Sequence, residues 1–182
     1  GPQSFEAEQA QFLGTAALAA ACAAASNGQI VNMGTSATNG LKFNNILVGA
    51  AGNYQLAIAY FVGGTDPRSM RVFVNGTLLP IQRVAVSGPW CFEGGSPGTW
   101  LMTVPLVSGA NTIELRPVST FNAPFIDKIE IRPIVASFEA EQATLSGTMT
   151  TPVCASASNS TLLNMGNTTT NSATFSSVTV PS

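Results

Sequence analysis

The chain has 182 residues, of which seven are Lys or Arg, nine are Asp or Glu and none is His, while 45% are hydrophobic. Seven cations form no basic stripe of the kind that nucleic acid or an anionic lipid surface requires, so a nucleic-acid partner is excluded and other partners are expected to be neutral or weakly charged. Without His, no Ser-His or Cys-His catalytic arrangement can be built, and no glycine motif of the phosphate-cradling type appears.

Gly1-Pro2 matches the residue pair left by a common protease-cleaved tag, so residues 1–3 are set aside as a tag remnant and extension. "SFEAEQA" at 4–10 comes next. In a strand, Glu6 and Glu8 project to one face and Phe5 and Ala7 to the other. "FLGTAALAAACAAAS" at 12–26 has the apolar, small-residue look of a secretory core, yet an acidic rather than a basic stretch precedes it. It is also too short and too rich in Ala to span a membrane, so no membrane insertion is expected.

Further along, the periodicity is two. "YQLAIAYFV" places Tyr54, Leu56, Ile58, Tyr60 and Val62 on one face of a half-buried strand. "MRVFVNGTLLPI" sets Asn75-Gly76 between two β-like runs, a strong hairpin signal. "TWLMTVPL", "NTIELRPV" and "FIDKIEI" supply further strands, separated by the loops "VSGAN" and "STFNAP". Many short strands and no amphipathic helix predict an all-β fold, a sandwich of two antiparallel sheets. About 130 residues suffice for one such core.

At 137–143 "SFEAEQA" returns, and the match continues. Gly14-Thr15 recurs as Gly147-Thr148, Cys22 as Cys154, Asn32-Met33-Gly34 as Asn164-Met165-Gly166, and Phe43 as Phe175. A period of this size is one whole domain, so the chain is divided into a complete module at 4–134 and the first third of a second at 137–182. The counterpart of the Ala-rich stretch, "TLSGTMTTPVCASAS", is polar, so that position asks for small residues rather than a helix. A third of a sandwich leaves strand edges bare, and self-association through residues 137–182 is one way to cover them, by swapping or by strand addition; in the swapped case Glu139 and Glu141 would complete an acidic site with Asp127 of another molecule. Packing of the segment on its own module is the alternative.

The order "FEAEQA", "NMG", "LKFNNILVGAAGNYQLAIAY", "RVFVNG", "WLMTVPLVSGANTIEL" and "APFIDKIEI" resembles the β-jelly-roll carbohydrate-binding modules of families six and thirty-five. The resemblance spans 4–134 and restarts at 137. It implies a secreted or cell-surface, non-catalytic module that binds a polysaccharide or glycan, often repeated in tandem. It also implies a structural calcium held by Glu6, Glu8 and Asp127.

The residues themselves fit that implication. In "FIDKIEI", Asp127 shares its face with Phe125, Ile129 and Ile131, and a buried charge is costly unless paired or bound to metal. Converging carboxylates make a hard oxygen site suited to calcium, whereas zinc would call for His or Cys. The alternative is that Glu6 and Glu8 are exposed edge charges and Asp127 caps a turn. Residues i and i+2 of a strand lie about 7 Å apart, which overlaps the carboxyl separation of inverting glycosidases. A catalytic pair brackets its substrate from opposite walls, however, and these two stand side by side.

Cys22 and Cys91 are the candidate disulfide, with two buried free thiols as the alternative. For sugar, Trp90 in the loop "SGPWCFEGGSPGTW" is the expected stacking platform, and Trp100 is expected in the core. The family's hydrogen-bonding Asn, two residues before the Asp of the last strand, is replaced here by Phe125. Asn122, Phe121, Arg68 and Glu93 are the candidate substitutes. A second function class follows from that replacement, a structural or adhesive surface repeat that uses the fold without binding sugar.

Overall fold

The computed structural model describes residues 1–118, 121–134, 140–157 and 160–176, leaving aside the side chain of Glu141. The chain forms two compact units, Gly1–Ile134 and Val135–Ser182.

In the first unit the strands are β1 (Gln3–Glu6), β2 (Gln11–Leu13), β3 (Ala17–Leu18), β4 (Val31–Asn32), β5 (Gly40–Val48) and β6 (Gly52–Phe61). They continue with β7 (Arg68–Val74), β8 (Thr77–Leu78), β9 (Gln82–Val84), β10 (Gly98–Leu106), β11 (Gly109–Pro117) and β12 (Phe125–Pro133). One sheet runs β10-β6-β12-β4-β3, with β1 also on β12; the other runs β2-β5-β11-β7-β8, with β9 on β7. All pairings are antiparallel, and the architecture is a two-sheet jelly roll.

Alternation places one face of each long strand inside. Leu56, Ile58 and Tyr60 of β6 meet Ile129 and Ile131 of β12 and, from the opposite sheet, Leu41, Phe43, Val72, Ile113 and Leu115 in a single core. Each such fully buried side chain contributes about 1.5–3 kcal/mol by leaving water. Asn75-Gly76 turns β7 into β8, with Val74 opposite Thr77 and Phe73 opposite Leu78. Trp100 packs against the core with its Nε1–H donating to Gln82 Oε1 at 3.0 Å.

One expectation needs correction. β1 begins at Gln3, opposite Ile131, one residue ahead of the expected start of the module. The strand then stops at Glu6, and Ala7–Gln9 is a 3-10 turn. The cause is topological: β1 lies in one sheet and β2 in the other, and the chain crosses between them here, with Ala7 small enough to be fully buried at the corner.

A smaller core sits beside the main one. Cys22, Ile30, Phe61 and Cys91 form it, with Ala19, Ala25 and Phe125 packed on it, and Cys22 and Cys91 are joined as a disulfide with Cα atoms 5.5 Å apart. This is where the small residues of 12–26 are needed. They let a chain with little regular structure lie against Phe61.

In the second unit, β13 (Thr144–Ser146) pairs with β14 (Ser172–Thr174), and Cys154 is a free thiol. Among the described residues no helix is long and apolar enough to cross a membrane.

Candidate functional site

Two places in the first unit carry chemistry, and the smaller core lies between them. The first is an acidic turn. On β12 the register against β6 shifts between Ile126 and Lys128, which makes Asp127 the extra residue of a bulge. On the opposite edge of β12, β1 ends at the Glu6–Lys128 pair and β4 is bridged at Ile126. Asp127 therefore falls in the gap between two partner strands, only 2% exposed, with no ladder position of its own.

The 3-10 turn Ser26–Gly28 fills that gap. Ser26 N–H donates to Asp127 Oδ1 at 2.9 Å, Ser26 Oγ–H donates to Glu6 Oε1 at 2.9 Å, and Asn27 Nδ2 donates to Glu8 Oε1 at 3.0 Å. Glu8 thus comes near the site from a turn, not from the strand face that sequence periodicity assigns it. Burial pushes the Asp127 carboxyl up to about 6; the Ser26 N–H opposes this, the charge of Glu6 adds to it, Lys128 opposes it and Glu8 adds again.

The second oxygens, Glu6 Oε2 and Glu8 Oε2, are buried without a hydrogen-bond partner. Orphaned anionic oxygens of this kind are costly, and an oxygen-seeking cation would satisfy them. Among the described residues no three His, Cys, Asp or Glu already close on one point, because Ser26 and Asn27 link the carboxylates instead. The donor set fits a hard cation in charge and in atom type. Glu139 and the side chain of Glu141 lie outside the described residues.

The second place is a cleft of about 810 Å³ at the loop end of the sandwich, lined among others by Gly63, Asp66, Arg68, Arg83, Trp90, Phe121 and Asn122. Four of the five candidate sugar residues meet there. Glu93 does not line it: its carboxylate accepts the Trp90 N–H at 3.2 Å and so braces the 3-10 turn Cys91–Glu93.

Trp90 is not the open platform that its loop suggests. Its ring lies so close on Gly63 that any side chain there would collide with it. Arg68 Cζ stands over the ring at 4.5 Å from the centroid, and Phe125 packs at 5.1 Å. The Arg68 Nη1–H donates to Ala123 O at 3.0 Å, which pins the guanidinium in place, and burial lowers its pKa. The exposed aromatic surface at the cleft is Phe121, 67% accessible.

Arg83, Asp66 and Gly63 were not among the sequence candidates. "GGTDPR" at 63–68, with its Gly pair and Asp-Pro, was the available loop signal. Ser26 and Asn27 gave none, since a turn residue reveals its partner only when the fold brings it there.

The fold has many solved counterparts. A module from Clostridium thermocellum superposes with a TM-score of 0.65 and 29% identity over 71% of this chain and 98% of its own. A module from Paenibacillus barcinonensis does so with a TM-score of 0.62 and 22% identity over 74% of this chain and 99% of its own. Both are family 35 carbohydrate-binding modules. An exo-β-1,3-galactanase from Phanerochaete chrysosporium, solved with β-1,3-galactotriose, matches with a TM-score of 0.63 and 24% identity; the match covers 71% of this chain but 28% of the enzyme's. The first unit therefore shares its jelly-roll fold with these family 35 carbohydrate-binding modules. No protein-family model matches the chain, and no curated protein matches it.

Proposed function

We propose that the first unit is a non-catalytic carbohydrate-binding module that takes a glycan in the loop-end cleft. The cleft carries the reading. It combines an exposed aromatic face at Phe121, a fixed guanidinium at Arg68 and polar groups at Asn122, Asp66 and Arg83, which is how a sugar is stacked and hydrogen-bonded at once. The likeness to family 35 modules, one of them 29% identical, supports it. A glycan-array screen of the chain, repeated with Phe121→Ala, tests it. Binding to one class of glycan that the variant loses is the expected result, and silence on every glycan with the fold intact would overturn it.

The acidic turn is assigned a structural calcium. Glu6, Glu8 and Asp127 would hold it, and the ion would supply the charge that the two orphaned oxygens and the buried carboxylate require. The disulfide supports a secreted or cell-surface location, because such bonds persist in oxidising compartments.

Residues 137–182 are read as the first third of a second module in a tandem array. The hydrogen bonds of the two segments support this. Thr15 N–H donates to Asn39 Oδ1 as Thr148 N–H does to Asn171 Oδ1, each at 2.9 Å. Gly34 N–H donates to Asn32 Oδ1 at 2.8 Å and Gly166 N–H to Asn164 Oδ1 at 3.0 Å. What differs is cover: Met33 and Ile30 are buried, while their counterparts Met165 and Leu162 are 43% and 48% exposed.

A second reading, a surface or adhesive repeat without sugar binding, draws on one observation. Gly63, Arg68 and Phe125 occupy the surroundings of Trp90 that a stacked sugar would use.

A further inference from the structure

The smaller core joins the acidic turn to the cleft by two short routes. The covalent route starts at Ser26, whose turn is closed back onto Cys22 by Cys22 N–H to Gly28 O at 2.9 Å and Ala25 N–H to Cys22 O at 3.1 Å. Cys22 is bonded to Cys91, and Cys91 directly follows Trp90. The packed route runs along β12: Asp127 is two residues from Phe125, whose ring meets that of Trp90 at 5.1 Å. Phe61 and Ile30, both buried, fill the space between, so neither route has slack.

We propose that Cys22, Cys91 and Phe125 are positioning residues that make the acidic turn and the Trp90 loop one mechanical unit, so that filling the acidic site sets where Trp90 stands in the cleft. The inference rests on the calcium reading above and does not need the sugar to be known. Its physical basis is that Ser26 has two jobs. Its N–H and Oγ–H are committed to Asp127 and Glu6, so an ion that draws the free oxygens of these carboxylates together turns the same carboxyl groups and rearranges the bonds Ser26 makes to them. A rearranged Ser26–Gly28 turn moves Cys22, and the bond to Cys91 passes that movement to Trp90. On the other side, the Trp90 loop is stiff. Glu93 N–H donates to Trp90 O at 2.9 Å, Gly95 N–H donates to the same oxygen at 3.0 Å, and the Glu93 carboxylate holds Trp90 N–H, so the loop moves as a body. Arg68, held on Ala123 O, stays as the fixed face against which the indole shifts.

The experiment reads Trp90 directly. In a Trp100→Phe background Trp90 is the sole indole, and calcium is titrated while emission wavelength and acrylamide quenching are recorded; calorimetry on the same samples measures binding. The expected result is an emission shift and reduced quenching that saturate together with the binding heat. Phe125→Leu should shrink the shift without changing calcium affinity, and Cys22→Ser/Cys91→Ser, checked for fold by circular dichroism, should shrink it further. Asp127→Asn should abolish both heat and shift. Calcium heat with no Trp90 response overturns the coupling while leaving the metal site standing. A response unchanged in both the Phe125 and the double Cys variant overturns the positioning roles. No calcium heat in the parent chain overturns the metal site and the coupling together.

Discussion

Ser26 N–H donates to Asp127 Oδ1 at 2.9 Å across a sequence separation of 101 residues, and it does so in the gap on β12 between the residues paired with β1 and the residue bridged to β4. The contact ties an Ala-rich loop to the last strand of the sandwich. It also leaves Asp127 buried beside Glu6 and Glu8 with a single backbone donor on one of its oxygens, which is why the site is electrostatically unfinished.

Calcium should therefore raise stability. A ligand present at a thousandfold excess over its Kd, bound by the folded state alone, contributes about 4 kcal/mol. For a domain of this size that is a rise in Tm on the order of 10 °C. Thermal melts in calcium and in chelator should show the difference, and Asp127→Asn should remove most of it. Equal melting temperatures in the two buffers would count against the metal.

Asn39 is the second polar group whose burial has to be compensated, and here the chain does it alone. Its Nδ2 donates to Thr15 Oγ1 and to Met33 O, each at 2.9 Å, while its Oδ1 accepts Thr15 N–H. Gly14, at φ +63°, passes so close that a Cβ would strike Oδ1. Gly14→Ala is expected to cost about 1–3 kcal/mol, from the left-handed backbone and the displaced amide together. Urea denaturation measures it. Gly147→Ala, the same change in the second unit, should leave the main transition where it is.

The β-sandwich was legible because its strands alternate: Leu56, Ile58 and Tyr60 face inward as their spacing requires, and Asn75-Gly76 turns where a hairpin was read. Glu8 was misplaced for the opposite reason. Nothing in "SFEAEQA" reveals that the chain leaves one sheet for the other at Ala7, so a strand period was extended through a corner. Asp127 was picked out by its carboxylate among apolar neighbours, although the bulge that orients it is a property of three strands at once. Trp90 was recognised as a loop aromatic, yet the groups that cover its ring, Gly63 and Arg68, come from the connection after β6 and the start of β7, more than twenty residues away.

Acid stability should report on Glu114. Burial pushes its carboxyl up, but hydrogen bonds from Arg116 and Lys42 outweigh that and hold it below its ordinary value. Lys42 Nζ lies 3.2 Å from Oε1, and Arg116 Nη2 lies 2.9 Å from Oε2. A depressed folded-state pKa means that the stabilisation is complete above the unfolded carboxylate range and fades as pH falls through the folded value. Glu114→Gln should thus narrow the loss of stability between neutral and acid pH in denaturant titrations, and added salt should narrow it too, since the pair is partly exposed. An unaltered pH profile in the variant would remove Glu114 from the account.

Within the cleft the residues should separate by role. Phe121 is exposed and makes its contribution only when a sugar ring lies on it, so Phe121→Ala should leave the melting temperature unchanged and weaken glycan binding by roughly two- to tenfold, the worth of one stacking contact. Arg68 holds Ala123 O and covers Trp90, so Arg68→Ala removes a structural hydrogen bond as well as a cleft guanidinium and should lower both affinity and Tm. Glu93 lies outside the lining and braces the Trp90 backbone, so Glu93→Gln, which keeps an acceptor for the Trp90 N–H, should bind like the parent, whereas Glu93→Ala should lose affinity through a loosened loop. Equal losses in Glu93→Gln and Glu93→Ala would show that the carboxylate charge itself meets the ligand, and would return Glu93 to the binding surface.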